Sequence, residues 1–185
     1  MRAVTACEGG GLVRQALVAL ALAAGPVVAL GFTRFAYALL LPSMHEELGW
    51  SYAQAGGMNT ANAVGYVIGA AVAAVATRRF GSRRAFLCGL VISALALLAT
   101  ATTSELSALF LLRFVGGLTT AVTFVVGSVL AARIDVKGGR RRSALLIAVY
   151  MAGVGIGVVV SGLVVPVALT AGDAIGWRLG WLVMG

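Results

Sequence analysis

The chain has 185 residues, 61% of them hydrophobic and only 11% charged, with a mean hydropathy of +1.02 and a formal net charge of +8. That composition carries more apolar surface than one water-soluble core of this length hides. It also excludes intrinsic disorder, which needs low hydrophobicity with high charge.

A short tail, 1–15, holds Arg2 and Arg14 and leads into an apolar run at 16–42. Ala21-Leu22-Ala23 has the look of a cleavage site, but hydrophobicity continues to Pro42, well past the apolar core of a secretory signal, so a retained first helix is expected. Further runs follow at 53–77, 85–102, 106–132 and 144–169, and a sixth begins at 177–185. Each complete run is long enough to cross about 30 Å of hydrocarbon as a helix. The predicted fold class is therefore all-α: a polytopic transmembrane helix bundle of five complete helices plus the start of a sixth. Met44 to Gly49 reads as a compact turn, and Trp50, Tyr52, Trp177 and Trp181 are placed at the membrane interface, where amphipathic rings gather. No gap exceeds about a dozen residues, so no soluble domain is inserted and consecutive helices are expected to be antiparallel neighbours.

The positive charges alternate from gap to gap. Arg78, Arg79, Arg83 and Arg84 fill the second gap, while Arg133, Lys137, Arg140, Arg141 and Arg142 fill the fourth. The opposite side has only Arg178, with Glu46, Glu47, Glu105 and Asp173. By the positive-inside rule the N-terminus and the basic gaps are cytoplasmic, in a plasma (inner) membrane. An anionic leaflet accounts for the net charge, so the lipid bilayer and not nucleic acid is the expected partner. Cys7 in the tail and Cys88 in the third helix make no disulfide framework.

Arg34 and Arg113 stand inside apolar runs, where a central charge costs roughly 2.5 to 3.5 kcal/mol on insertion scales. Each lies about 10 to 12 Å from the outer end of its helix, so snorkelling and a shared aqueous cavity are both open, and the cavity is favoured. Tyr37 shares the face of Arg34. Asn59, Asn62 and Tyr66 lie within about 60° on the second helix. Arg113, Gly116, Gly117, Thr120, Phe124 and Gly127 share an arc of about 100° on the fourth, and Tyr150, Gly153, Gly157 and Ser161 form a stripe on the fifth. The polar groups either bond between helices or line a solute path. The glycines at a spacing of four, Gly65 to Gly69 and Gly153 to Gly157, read as close helix contacts. His45 is the only histidine, and no cluster of metal ligands or nucleophile with its base is present, so no enzyme, cofactor or metal is expected. All six acidic residues fall outside the runs, leaving no intramembrane carboxylate.

Arg78-Arg79-Phe80-Gly81-Ser82-Arg83-Arg84 resembles the DRxGRR-like loop that joins helices two and three in the major facilitator superfamily, with Arg78 in the aspartate position and Ala74 for a glycine. Leu111 to Gly117 resembles that superfamily's RxxxG element, which implies a coupling or gating role for Arg113. Gly153-Val154-Gly155-Ile156-Gly157 with Ser161-Gly162 is similar to its glycine-rich fifth-helix element, which implies a pliable packing face. Gly31-Phe32-Thr33-Arg34-Phe35-Ala36-Tyr37 and Leu41-Pro42-Ser43-Met44 resemble the first-helix run of the YbfB/YjiJ-type branch. The resemblance implies a secondary transporter of two six-helix halves, of which this chain is the N-terminal one, truncated in its sixth helix and lacking the C-terminal six-helix half. It implies transport by alternating access, and the arginine, amide and phenol groups of the expected lining would suit a small polar or anionic organic solute. The path candidates are Arg34, Tyr37, Asn59, Asn62, Tyr66, Arg113 and Tyr150. The loop motif is Arg79, Gly81, Arg83 and Arg84, and Gly117, Gly153, Gly157 and Gly162 are the gating or packing glycines. A non-transporting packing partner or dimerising half-unit, joined through exposed Gly65/Gly69 or Gly153/Gly157 faces, is the alternative.

Overall fold

The computed structural model describes residues 14–134, 139–172 and 175–185. Arg2, Cys7, Lys137 and Asp173, like the side chains of Arg140, Arg141 and Arg142, lie outside the described residues. The described residues form a helix bundle with no strand. Its helices are α1 (Arg14–Leu48), α2 (Tyr52–Phe80), α3 (Ser82–Thr102), α4 (Leu106–Arg133), α5 (Gly139–Gly172) and α6 (Gly176–Met184). Five are long and apolar enough to cross a membrane. Large apolar side chains point outward all round the bundle, Val67 at 69% exposure and Leu163 at 67% among them, as in a protein whose solvent is hydrocarbon.

The helices outrun the apolar runs. α1 continues through Pro42 and the polar His45, Glu46 and Glu47 to Leu48, so Met44–Gly49 is its last turn and cap and not a separate loop. Gly49, at φ 63°, takes the left-handed position that stops it. Hydrophobicity ends where the bilayer would; the helix ends where a cap is available. α2 then starts on a capping box, with the Ser51 hydroxyl accepting from Gln54 N at 3.2 Å and the Gln54 side-chain oxygen Oε1 accepting from Ser51 N at 2.8 Å. Gly81, at φ 82° and ψ 150°, makes the tight turn into α3.

Glycines choose the helix pairs. The most extensive seam joins α2 to α4, where a Cβ at Gly65 or Gly69 would fall on the backbone of Phe114 or Leu118, and one at Gly117 on that of Asn62. A second seam joins α1 to α5, with Gly31 against Gly157 and Gly153 against the Ala23 carbonyl. In both seams residue numbers rise together, so these partners are parallel and non-consecutive. The expected consecutive pairing holds for α3 with α4, but α1 and α2 scarcely touch. Loop length fixes only direction; backbone approach at small residues fixes the neighbour. Trp177 and Trp181, both 0% exposed, pack inward against the bundle, and Trp50 is buried as well. Only Tyr52, at 85% exposure, stands outside as expected.

Candidate functional site

Residues Val27–Phe35 of α1 form a nine-residue π-helical stretch. Such widened turns are rare and gather at functional sites. The Thr33 hydroxyl reaches five residues back to the Val28 carbonyl at 2.9 Å, and the Ala36 amide bonds the Gly31 carbonyl, also five back. Carbonyls of this stretch accept from other helices too. Ser161 on α5 donates to Gly31 O at 3.1 Å, and Arg113 on α4 donates through Nη1 to Thr33 O at 3.0 Å.

Arg113 is the centre of the arrangement. At 3% exposure it does not open into an aqueous cavity, contrary to the favoured reading of its sequence position. Its guanidinium lies 3.9 Å over the Tyr37 ring and 5.4 Å from that of Trp181, and those two rings stack with centroids 6.4 Å apart. Desolvated cation–π contacts of this kind are worth about 2 kcal/mol, which offsets part of the burial cost. Nε and Nη2 are buried with no hydrogen-bond partner among the described residues.

Arg34, one residue from the Thr33 carbonyl, is half-buried and lies 4.6 Å over the ring of half-buried Tyr66. Asn59 is exposed on the same helix as Tyr66. These three are the accessible members of the expected path. The other four are joints between helices. The Tyr37 hydroxyl donates to Ala55 O at 2.8 Å, Asn62 Nδ2 donates to Arg113 O at 3.0 Å, and the Tyr150 hydroxyl donates to Phe124 O at 2.8 Å. All three side chains are buried, as Arg113 is. In the loop motif Arg79, Gly81, Arg83 and Arg84 are exposed, with Arg79 6.0 Å from the Phe80 ring. Gly117, Gly153 and Gly157 are packing contacts, whereas Gly162 is exposed with open space around it. Because Gly65, Gly69, Gly153 and Gly157 all face inward, the glycine faces invoked for a packing partner are already occupied within the chain.

Sequence reasoning missed Thr33, Trp181 and the acidic-end clasp. In that clasp Trp177 Nε1 donates to Glu47 Oε2 at 2.6 Å, while Arg178 donates to Ala101 O at 2.9 Å and to the Ser104 hydroxyl at 2.6 Å. The spacing of Trp177 and Trp181, one helical turn apart beside Gly176 and Gly180, was the available signal of a common inward face.

A bundle of apolar spanning helices, pinned by a buried arginine to a π-helical turn, defines a multi-pass membrane protein with a polar interior. Residues 26–185 match the model of the family described as uncharacterised MFS-type transporter YbfB, and the chain belongs to that family. It is thus a membrane transporter of the major facilitator type, whose relatives are transport proteins. No curated protein matches the chain.

Proposed function

We propose that the chain moves a small polar or anionic organic solute across the inner membrane by alternating access, working as one six-helix half against a second. The observation that carries this reading is the Arg34–Tyr66 pair, half-open beside Asn59 and directly next to the buried Arg113 junction. Arg34 supplies a cation at the accessible edge of the path, and Asn59 and Tyr66 supply hydrogen bonds. Arg113, Tyr37 and Asn62 form the floor that fixes α1, α2 and α4 around them. The cytoplasmic side is the end that bears Arg78, Arg79, Arg83, Arg84 and Arg133, all exposed.

Uptake of radiolabelled small organic anions and polar solutes into proteoliposomes tests this. Arg34→Gln is expected to lower kcat/KM about tenfold or more for a transported anion. Unchanged affinity and rate in both Arg34→Gln and Arg113→Gln overturns the assignment. Tags placed in the 78–84 turn that react from outside intact cells overturn the orientation.

A further inference from the structure

We propose that the groove between α2 and α4 at the arginine-rich end of the bundle binds one anionic phospholipid, with an acyl chain along the groove and the phosphate against Arg78. The inference goes beyond the transport reading and does not depend on it.

The groove begins where the glycines stop. Gly65 and Gly69 bring α2 onto the backbone of Phe114 and Leu118, but the next residues at that spacing are Ala73 and Thr77, and there a cavity of about 430 Å³ opens between the helices. Its walls are Ala70, Ala73 and Ala74 on α2 with Val125, Val126 and Val129 on α4. Side chains of this kind offer no hydrogen bond, so whatever lies along them is apolar. Ala74 and Val129 are exposed, which leaves the flank of the groove open to the surrounding hydrocarbon. From Ala70 to Arg78 the wall runs about 12 Å along the α2 axis, most of the roughly 15 Å that one leaflet contributes to a hydrocarbon core about 30 Å thick. A single acyl chain is the apolar object of that length that a membrane supplies.

One end of the cavity is polar. Thr77 and Ser82 are half-buried in its lining, and exposed Arg78 stands with them. Arg79, Arg83 and Arg84 add positive charge around the same turn. Glu46, Glu47 and Glu105, the acidic residues among those described, are at the opposite end of the bundle, and in the sequence the segments at the arginine-rich end set only Glu8 and Asp135 against this charge. Apolar walls that end in a cation and two hydroxyls match a molecule with one apolar tail and one anionic head, and basic pockets between spanning helices are where anionic headgroups bind. A helix of a second half or of a second copy fills the walls but brings no phosphate to the mouth.

Photolabelling of the full chain in phosphatidylcholine vesicles tests this. The vesicles carry a trace of either phosphatidylglycerol or phosphatidylcholine with a diazirine on the acyl chain, and peptide mass spectrometry locates the label. Labelling at 70–77 and 125–129 is normalised to the outward face of α5 at Leu163 and Val167, both well exposed. The phosphatidylglycerol probe is expected to exceed the phosphatidylcholine probe about fivefold in the groove and to equal it on α5. Arg78→Gln is expected to remove most of that preference, whereas Arg84→Gln, on an exposed arginine outside the lining, should leave it within about twofold of wild type. Ala74→Leu, at an exposed position, fills the groove and is expected to lower labelling there by both probes, with α5 unchanged. Equal labelling of the groove by the two probes overturns the proposal, as does the wild-type preference in Arg78→Gln. Chain-to-chain disulfides through Ala74→Cys in the same vesicles, with no lipid label in the groove, make the occupant a second copy and overturn it too. The comparison of the two probes on the wild-type chain needs no variant to fold.

Discussion

A methyl group at Gly157 tests whether backbone approach, and not helix propensity, holds α1 to α5. A Cβ there would lie 2.7 Å from Val27 O and 3.0 Å from the Cα atoms of Val27 and Gly31. Carbon atoms rest about 3.5 to 4.0 Å apart, so the seam must open by roughly 0.5 to 1 Å. Overpacking of this size costs about 1 to 3 kcal/mol. The opening also stretches the Ser161–Gly31 hydrogen bond, 3.1 Å at present, which is worth about 0.6 kcal/mol in a membrane interior. Gly157→Ala is therefore expected to cost about 2 to 3 kcal/mol. Gly155, two residues away on the same helix, has nothing within 4 Å of its would-be Cβ. Because spanning helices persist in the unfolded membrane state, propensity has little to add, and Gly155→Ala should fall within about 0.5 kcal/mol of wild type. Reversible unfolding of the micellar protein by a denaturing detergent, followed by tryptophan fluorescence, measures both. The pair Gly31→Ala with Gly157→Ala should cost less than the sum of its parts, since the first methyl already separates the helices. Equal stability of Gly155→Ala and Gly157→Ala refutes the reasoning, and so does strict additivity of the pair.

Ser93 on α3 and Thr119 on α4 share a 2.8 Å hydroxyl contact in the buried seam, so a double-mutant cycle of Ser93→Ala and Thr119→Val should return a coupling of about 0.6 kcal/mol, at most about 1.7. Glu47→Ala removes the acceptor of buried Trp177 Nε1 and is expected to cost about 1 to 3 kcal/mol, whereas Glu47→Gln restores part of that by keeping an oxygen; thermal unfolding of the two variants reads the difference. Tyr66→Leu takes away the ring under Arg34, and phenylglyoxal labelling followed by mass spectrometry should show Arg34 reacting severalfold faster than in wild type.

What was legible in the sequence was whatever solvent dictates. Hydrocarbon demands long apolar helices with satisfied backbones, so the five spans and the clustering of arginine at one end follow from composition along the chain. Partner choice was not legible, because Gly65 and Gly153 announce close contact without naming the facing helix. The inward turn of Trp181 was hidden for a related reason. Tryptophan at the start of a span has two good environments, the interface and an aromatic core, and only the presence of Tyr37 and Arg113 across the bundle decides between them. The π-helical stretch carries no periodicity of its own, and the contacts made along it, from Gly157, Arg113 and Ser161, come from helices far away in sequence.

The bonds around Arg113 also bear on the proposed alternating-access motion. Asn62 on α2 donates to the main chain of Arg113, Arg113 on α4 donates to the main chain of Thr33, and Ser161 on α5 donates to the main chain of Gly31. α2, α4, α1 and α5 are thus linked in series by side chain to carbonyl bonds at one depth, and α6 closes on them through Trp181. Side chains tied to carbonyls of neighbouring helices resist sliding, because each helix that slips leaves both a donor and an acceptor without water to replace the partner. Rotation of the whole bundle breaks none of these bonds. On the alternating-access reading proposed above, a unit cross-linked in this way would rock as one body, with its internal adjustment confined to the widened turn of α1, where a change of register would move Arg34 and the Thr33 carbonyl together.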